Sequence, residues 1–234
     1  MSKRYGAGTV VCIIDYKMGN LFSVQRVCEH AGVHAIITNL ASKVMEANGL
    51  ILPGVGAFGD AMKNLKDLDL ILSIKDFIAS GRPFLGVCLG MQLLMSESEE
   101  FGHHQGLDVI KGSVVRFPQS QDNGKMKVPQ VGWNQIFPAR GLSERFWANT
   151  PLRNLESGEY MYFVHSYYVK PQKEDGVLSK TNYAGVEYCS SFLYKNIFAT
   201  QFHPERSAAA GIQIYKNWAS AILRKANNFL VPHD

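Results

Sequence analysis

The sequence predicts an α/β fold in which helices flank an open mixed, mainly parallel sheet, with additional antiparallel strands in the C-terminal half. Two observations carry this prediction. In the first hundred residues, short runs of β-branched residues alternate with helical segments, as in parallel sheets with helices on both faces. After about residue 105, short strand-like runs follow one another and are joined by glycine, asparagine and proline turns.

In the first half of the chain, most predicted elements end at a glycine or proline break. Residues 10–15 form a strand because they are rich in β-branched side chains, and the helix that follows spans 21–31. The other elements of this half are strands 35–38, 50–52 and 84–87 and a largely helical stretch over 61–80. Ligands of such sheets bind beyond the carboxyl ends of strands, and Asp15, Gly54 and Cys88 follow three of these ends.

The second half of the chain consists mostly of short strand-like runs. Its strand-like runs are 109–117, 136–137, 160–169, 177–178, 185–193 and 197–201. A closing amphipathic helix is predicted over 208–229. Because no linker, repeat or low-complexity segment interrupts the chain, residues 10–234 are expected to form one domain, preceded by a flexible polar extension of residues 1–9.

The composition is that of an ordinary globular protein. Of the 234 residues, 46% are hydrophobic and 19% are charged. The net charge of +4 is mild and is not concentrated in one basic run, so the sequence does not predict nucleic-acid binding. The first residues lack the apolar core of a signal peptide, and no apolar run approaches the roughly 18 residues that cross a membrane.

The four cysteines do not have the spacing of a metal site. None of Cys12, Cys28, Cys88 and Cys189 belongs to a C-x-x-C pair, so neither a zinc ribbon nor a redox pair is expected, and no cofactor is predicted. Their sequence contexts indicate that Cys12, Cys28 and Cys189 are packing residues. Cys88 is the candidate for reactivity, and a reactive free thiol requires a reducing compartment, which indicates the cytoplasm.

Cys88 occupies the centre of the pattern Gly86-x-Cys88-x-Gly90. An apolar run leads into the cysteine, and a helix-like stretch over 91–95 leaves it. This is the nucleophile elbow of hydrolases with cysteine in place of serine, in which small neighbours let the chain turn sharply and expose the nucleophile. The N-terminus of the following helix would favour the thiolate, which is the reactive form of cysteine.

A second motif, His203-Pro204-Glu205, follows a β-like run over 197–199. Histidine can act as the base for a cysteine nucleophile, and a carboxylate can orient the imidazole and stabilise its charged form. Cys88, His203 and Glu205 are therefore the predicted nucleophile, base and orienting group of a catalytic triad.

Together, these motifs resemble those of class I, triad-type glutamine amidotransferases, which have a flavodoxin-like α/β fold. Four further segments narrow the resemblance to the glutaminase subunits of imidazole glycerol phosphate synthase, an enzyme of histidine biosynthesis. These segments are Asp15-Tyr-Lys-Met-Gly-Asn20, Pro53-Gly-Val-Gly-Ala-Phe58, Val128-Pro-Gln-Val-Gly-Trp-Asn134 and Tyr162-Phe-Val-His-Ser-Tyr167. The resemblance runs from about residue 10 to about residue 225.

The resemblance implies that the chain hydrolyses L-glutamine to glutamate and ammonia. Members of this family form a heterodimer with a (β/α)8 cyclase subunit, and ammonia passes to that partner through a sheltered channel. The partner then uses the ammonia to form imidazole glycerol phosphate and the carboxamide ribotide AICAR.

The resemblance also assigns roles around Cys88. Amide hydrolysis passes through an oxyanion, and the backbone N–H groups of Leu89 and Val55 are the expected donors to it. The Val55 peptide is expected to turn into place only when the partner carries its own substrate. The residues expected to contact glutamine are Gly54, Gly56, Gln92, His165, Ser166 and Tyr167.

At the partner face, the resemblance points to Asn20, Trp133, Tyr162 and Arg206. Tryptophan, tyrosine and arginine are also the residue types enriched at interface hot spots. The chain departs from the family at two positions: Arg206 stands where lysine is common, and Lys17 stands where glycine is commoner.

Three other functions are weighed against this one. A paralogue with the same chemistry would supply ammonia for amidino- or amino-sugar synthesis in surface polysaccharide, and the catalytic residues do not separate it from the leading function. A catalytically silent module that stabilises a partner is disfavoured by the intact triad. A free-standing thiol hydrolase such as a γ-glutamyl hydrolase is disfavoured by the segments 132–134 and 165–167.

Overall fold

The computed structural model describes residues 9–118, 126–139 and 144–228 of the chain. Of the predicted extension, only Thr9 falls within these ranges, and it is buried. The described residues form an α/β structure in which helices flank a large mixed sheet, so the predicted fold class is confirmed. No helix of the described ranges is both long and apolar enough to cross a membrane.

The first half of the chain alternates strands and helices. Its elements are β1 (Val10–Ile14), α1 (Leu21–His30), β2 (His34–Thr38), α2 (Ala41–Glu46), β3 (Gly49–Leu52), α3 (Phe58–Asp67), α4 (Leu70–Ala79), β4 (Phe84–Val87) and α5 (Leu89–Leu93). Short crossovers through helices keep these strands parallel, as the alternation in the sequence predicts.

The second half is mostly strands. Its elements are β5 (Met95–Ser98), β6 (His104–Gln105), β7 (Ile110–Arg116), β8 (Gln130–Pro138), β9 (Glu159–His165), β10 (Tyr167–Pro171), β11 (Val177–Tyr183), β12 (Val186–Tyr194), β13 (Ile197–Thr200) and α6 (Ala208–Asn228). Two short 3-10 helices, Glu144–Trp147 and Pro204–Arg206, complete the described part of the chain.

The strands of the described ranges form two sheets. The larger has nine strands in the order β2-β1-β3-β4-β13-β12-β11-β8-β9, parallel from β2 to β13 and antiparallel beyond it. The smaller has four strands in the order β10-β7-β5-β6. Because β13 pairs with β4 in parallel, with Val87 opposite Thr200, the segments that follow these two strands emerge side by side.

The large sheet separates two hydrophobic cores. Side chains of a strand alternate between faces, so Cys12 and Ile14 of β1 pack into one core and Val11 and Ile13 into the other. Helices α2, α3 and α4 contribute to the first core, and helices α1 and α6 to the second. The framework around β4 is therefore buried on both faces.

Several predicted elements differ from the structure. The strands predicted over 136–137 and 177–178 are parts of the longer strands β8 and β11. The helical stretch 61–80 is two helices, because Asp69 adopts a left-handed conformation with φ +54° between them. The helix after the cysteine ends at Leu93, and Met95 begins a strand, so the predicted helical stretch 91–95 was too long. The single strand predicted over 160–169 is two strands, β9 and β10, which belong to different sheets.

Candidate active site

Cys88 lies in a strained turn between β4 and α5. Its backbone has φ +52° and ψ −108°, a combination that non-glycine residues rarely adopt. The Cys88 N–H donates to the Thr200 carbonyl at 2.7 Å, which ties the turn to the neighbouring strand β13. A Cβ on Gly90 would lie 1.8 Å from the Leu52 carbonyl oxygen, so only glycine fits where α5 crosses the end of β3.

His203 and Glu205 lie just beyond the end of β13. Nδ1 of His203 and Oε1 of Glu205 are 2.8 Å apart, and both side chains are almost completely buried. The segment is held at two points: the His203 N–H donates to the Tyr162 carbonyl at 2.9 Å, and the Ser207 hydroxyl donates to the His203 carbonyl at 2.7 Å. The imidazole is thereby fixed in position and orientation.

The electrostatics of this group favour a charged imidazole. Burial alone would lower the pKa of His203, but the Cys88 sulfur and then the Glu205 carboxylate outweigh burial and raise this pKa from 6.5 to about 10. Apart from the Cys88 sulfur, which helps to raise the His203 pKa through a hydrogen bond, the buried Nε2 of His203 has no partner among the described residues, so it can exchange a proton with this thiol or a leaving group. The arrangement suits a thiolate–imidazolium pair.

The other three cysteines have different surroundings. Burial raises the pKa of Cys12 to about 11, and burial also raises the pKa of Cys28 and of Cys189 far above the ordinary value. All three thiols are buried and remain protonated at neutral pH. They therefore pack as core residues, which leaves Cys88 as the candidate nucleophile.

A cavity of about 170 Å³ opens beside Cys88. Its lining residues are Val55, Gly56, Cys88, Leu89, Gln92, Glu100, Val164, His165, Ser166 and Tyr167. Most residues expected to contact substrate or oxyanion thus line one space. Gly54 lies outside the lining, in a crowded position where a Cβ would be 2.2 Å from the Tyr16 hydroxyl oxygen. A larger cavity of about 690 Å³ includes Pro83 and Asn196, which precede β4 and β13, and so lies at the opposite end of the sheet.

Residues 12–220 match the class-I glutamine amidotransferase family. The chain belongs to this family.

Several relatives of the amidotransferase are named imidazole glycerol phosphate synthase subunit HisH. The imidazole glycerol phosphate synthase subunit HisH of Geobacter metallireducens is 47% identical over 211 residues, which cover 89% of this chain and 97% of that protein. The HisH subunit of Syntrophotalea carbinolica is 48% identical over 212 residues, covering 89% and 98%. The HisH subunit of Chlorobaculum tepidum is 42% identical over 210 residues, covering 90% and 99%.

Solved structures share the fold at lower identity. The PurLQS structure from Thermotoga maritima contains a chain that superposes with a TM-score of 0.66 at 19% identity, covering 94% of this chain and 99% of that chain. A structure described as a glutamine amidotransferase superposes with a TM-score of 0.66 at 15% identity, covering 91% and 98%. At such identities the likeness shows the fold alone.

Two residues of the amidotransferase site were not predicted. Glu100 lines the cavity from the turn between β5 and β6, where its Oε2 accepts the Phe58 N–H at 2.7 Å and burial raises its pKa. Gln201 is completely buried, and its Nε2 lies 3.6 Å from the Cys88 sulfur. Gln201 could have been noticed because it lies two residues before His203, whereas the local sequence around Glu100 holds no signal.

His165 lines the cavity from inside a buried network. Its Nδ1 lies 2.8 Å from the Tyr167 carbonyl oxygen, and its Nε2 lies 3.3 Å from the Tyr188 hydroxyl. Since a carbonyl oxygen only accepts, Nδ1 carries the proton. Burial lowers the pKa of His165 to about 4, although the hydrogen bond with the Tyr167 carbonyl raises this pKa in part, and the nearby His203 lowers it by a smaller amount. His165 is therefore neutral at physiological pH.

Three of the four residues expected at the partner face form one exposed cluster. The rings of Trp133 and Tyr162 meet edge to face at 6.1 Å, and the Arg206 guanidinium lies over the Tyr162 ring at 4.5 Å. Asn20 lies apart from them in the sequence, at the start of α1, which packs against the 3-10 helix that carries Arg206. The planar guanidinium of Arg206 suits this stacked position over an aromatic ring.

Lys17 adopts a backbone conformation that glycine reaches more easily than lysine. Its φ is +67°, in the left-handed region that glycine adopts without strain. The Asp15 carboxylate partly compensates by accepting the Lys17 N–H at 3.0 Å. Lys17 therefore keeps the backbone turn while adding a positive charge to the loop after β1.

Proposed function

We propose that the chain is the glutamine-hydrolysing subunit of an imidazole glycerol phosphate synthase and that Cys88, His203 and Glu205 catalyse the hydrolysis. The observation that supports this assignment is the position of the His203 ring: its Nδ1 contacts Glu205, and its Nε2 has no partner within the described residues other than the Cys88 sulfur, to which the ring is electrostatically coupled. Membership of the amidotransferase family supports glutamine as the substrate, and the HisH relatives support the synthase.

The chemistry proceeds in two half-reactions. The Cys88 thiolate attacks the side-chain amide carbon of glutamine, the C–N bond breaks, and protonated His203 gives its proton to the departing ammonia. Neutral His203 then takes a proton from water, whose oxygen attacks the thioester. The C–S bond breaks, glutamate leaves, and the thiolate–imidazolium pair is restored. Glu205 stabilises the imidazolium of the resting enzyme, which is restored at the end of each cycle.

The oxyanion of each tetrahedral intermediate would be bound by the backbone N–H groups of Leu89 and Val55, which line the cavity on either side of Cys88. Losing one such donor typically costs about 2.7–4 kcal/mol of barrier. The Tyr16 hydroxyl donates to the Pro53 carbonyl at 2.7 Å and anchors one end of the loop, while Gly56 has φ +109° at the other. This combination suits a Val55 peptide that turns when the partner carries its substrate.

The cavity walls suggest how glutamine is held. Both amide protons of Gln92 are used inside the protein, so its side-chain oxygen is the atom that would meet the substrate. The Glu100 carboxylate would pair with the α-ammonium group of glutamine. Tyr167, with its neighbours His165 and Ser166, would form the remaining wall, and about 170 Å³ suits a free amino acid better than the 300–1,000 Å³ typical of drug-sized ligands.

The exposed Trp133–Tyr162–Arg206 cluster would bind the (β/α)8 cyclase subunit, with Asn20 at its border. Aromatic and arginine side chains are the types that dominate binding energy at such contacts. Ammonia would pass from the site to this partner, which would form imidazole glycerol phosphate and AICAR. The complex would act in the cytoplasm, where the free Cys88 thiol stays reduced.

A substitution of the nucleophile tests the catalytic assignment. The Cys88→Ala variant, assayed with cyclase partner and nucleotide, should release ammonia from glutamine at least a thousandfold more slowly, because the covalent route is gone. The matched control is Cys12→Ser, in a core thiol whose hydroxyl replacement can still donate to the Lys43 carbonyl. Unchanged ammonia release by the Cys88→Ala variant would refute the role of Cys88.

The client pathway has its own test. The relatives named above are 42–48% identical and share the HisH name, which favours histidine synthesis over surface-sugar synthesis. The chain, expressed with its matched cyclase, should restore growth without histidine in a strain that lacks its own subunit. Failure to restore growth, with glutaminase activity intact, would point to the sugar pathway instead.

A further inference from the structure

A chain of buried amides links the cavity wall to the Cys88 sulfur. The Gln92 Nε2 donates to the Tyr167 carbonyl at 2.9 Å and to the Gln201 side-chain oxygen at 3.1 Å. The Gln201 Nε2 in turn lies 3.6 Å from the Cys88 sulfur. Both glutamine side chains are at most 5% exposed, so water does not compete for these contacts.

The direction of every bond in this chain is dictated by its first member. The Tyr167 carbonyl can only accept, so the Gln92 amide must turn its NH2 group toward it. The second proton of that NH2 group then points at Gln201, which must present its oxygen. The remaining NH2 group of Gln201 is thereby directed at the sulfur, where it can only donate.

Besides the His203 imidazole, the sulfur of Cys88 faces two uncharged groups of opposite character. The Val164 carbonyl, at 3.9 Å, can accept a proton from a thiol but offers nothing to a thiolate. The Gln201 amide can donate to a thiolate. A hydrogen bond to the charged form of an acid favours that form, so these two neighbours select different protonation states of the same atom.

We propose that Gln201 is a positioning residue that holds the Cys88 sulfur as a thiolate and couples it, through Gln92, to the occupancy of the cavity. Substrate that binds the Gln92 oxygen would tighten the bonds behind it, because linked hydrogen bonds polarise one another. The proposal deepens the proposed glutaminase function and rests on Cys88 being the nucleophile of that reaction.

The backbone keeps this contact in register. Cys88 follows β4 and Gln201 follows β13, which are parallel neighbours. The Cys88 N–H donates to the Thr200 carbonyl at 2.7 Å, and the Gln201 N–H donates to the Ser190 carbonyl at 2.9 Å. Both Cα positions are therefore fixed by the large sheet, so the side-chain torsions of Gln201 and Cys88 set the distance between the amide and the sulfur.

The test measures the thiolate directly and does not require turnover. In the Gln201→Met variant, which keeps side-chain length but has no donor, alkylation of Cys88 by iodoacetamide at pH 7 should slow about tenfold, since a hydrogen bond to a charged group is worth at least that factor. In the Gln201→Glu variant, the carboxylate can still accept from Gln92 but repels a thiolate, so alkylation should slow further.

The control is Asn196→Ala, which removes a half-buried amide at the opposite end of β13, where it donates to the carbonyls of Ile78 and Arg82. A loss of stability alone would change the alkylation rate in the same way in all three variants. The proposal instead requires that the alkylation rate be highest in the wild type and in Asn196→Ala, lower in Gln201→Met and lowest in Gln201→Glu. Folded Gln201→Met or Gln201→Glu protein that alkylates at the wild-type rate would overturn it. Alkylation reports on Cys88 whether or not glutamine is the substrate, so this result stands apart from the glutaminase assay.

Discussion

At the scale of single residues, the strained turn at Cys88 depends on the absence of a side chain at Gly86 and Gly90. The glycines at positions 86 and 90 let the sequence predict a sharp turn around a nucleophile. The reason that Gly90 must be glycine is its contact with the Leu52 carbonyl, a residue far away in the sequence. The pattern predicts the turn, whereas the packing that enforces it follows only from the pairing of β3 with β4.

Glu100 and Gln201 show where residue-level prediction stops. The triad residues belong to short local motifs, so the sequence alone identifies them as candidates. Glu100 reaches the cavity because a hairpin folds back over Phe58, and Gln201 reaches the sulfur because β13 pairs with β4. Neither contact has a local signature, because each joins segments that are distant in the chain.

The neutral state of His165 gives a prediction about acid stability. Its pKa is about 4 in the folded chain and 6.5 ordinarily, so between these values the unfolded chain binds more protons. Folding stability should therefore fall as the pH drops from 6.5 toward 4. Between pH 7 and pH 5 this one group should cost about 2 kcal/mol, measured by urea unfolding.

The His165→Gln variant isolates this effect, because glutamine can donate to the Tyr167 carbonyl without titrating. Its free energy of unfolding should change less between pH 7 and pH 5 than that of the wild type. The matched control is His30→Gln, at an exposed position at the end of α1, which should keep the wild-type slope. Equal slopes in His165→Gln and wild type would contradict the assigned neutral state.

At the scale of elements, tertiary pairing overrides local pattern. The residues after Cys88 have the apolar spacing of a longer helix, yet α5 stops at Leu93 because Met95 pairs with Ile110 of β7. Likewise, the apolar run over 160–169 has no internal break in sequence, but Ser166 separates two strands of different sheets. Such ends are set by partners that a local pattern does not contain.

The contact of α5 with β3 predicts the effect of Gly90→Ala. Alanine ordinarily stabilises a helix relative to glycine by about 1 kcal/mol. Here its Cβ would collide with the Leu52 backbone, so the variant should lose about 3 kcal/mol of stability or more and almost all glutaminase activity. Thermal unfolding and the ammonia assay measure the two effects.

Gly59→Ala in α3 is the control for that experiment. The three atoms nearest to its Cβ would all belong to the His104 ring, at the end of a side chain that can move aside, so stability should change by less than about 1 kcal/mol. A Gly90→Ala protein as stable as the Gly59→Ala protein would show that the turn at Cys88 can relax away from β3.

At the scale of the whole molecule, the alternation of strands and helices predicted the parallel half of the sheet well. Each helix returns the chain in the same direction, so local order dictates the topology. For the antiparallel half, the sequence predicted strands but not which strands pair. In the structure, β8 and β9 join the edge of the large sheet, while β7 and β10 belong to the smaller one. Sheet membership depends on long-range pairing, which turn residues do not encode.

The exposed cluster gives a test of the proposed association with a cyclase subunit. Trp133 is 52% exposed although it is a large aromatic, and it packs on Tyr162. Trp133→Ala should raise the dissociation constant for the cyclase about thirtyfold, equivalent to about 2 kcal/mol at a hot spot, in a calorimetric titration. Leu72→Ala, at a 73% exposed position on α4, should leave the dissociation constant unchanged. Equal affinity of Trp133→Ala and wild type would place the interface elsewhere.

The single residue between β9 and β10 has a mechanical consequence. β9 carries Tyr162 on its exposed side, accepts the His203 N–H at its edge, and leads directly through Ser166 into the smaller sheet. Tyr162 of the surface cluster and Val164 of the cavity wall therefore lie two residues apart on one strand, and Tyr167 of the cavity wall begins the next strand. Any change in the position of β9 would move the surface cluster and the cavity wall together.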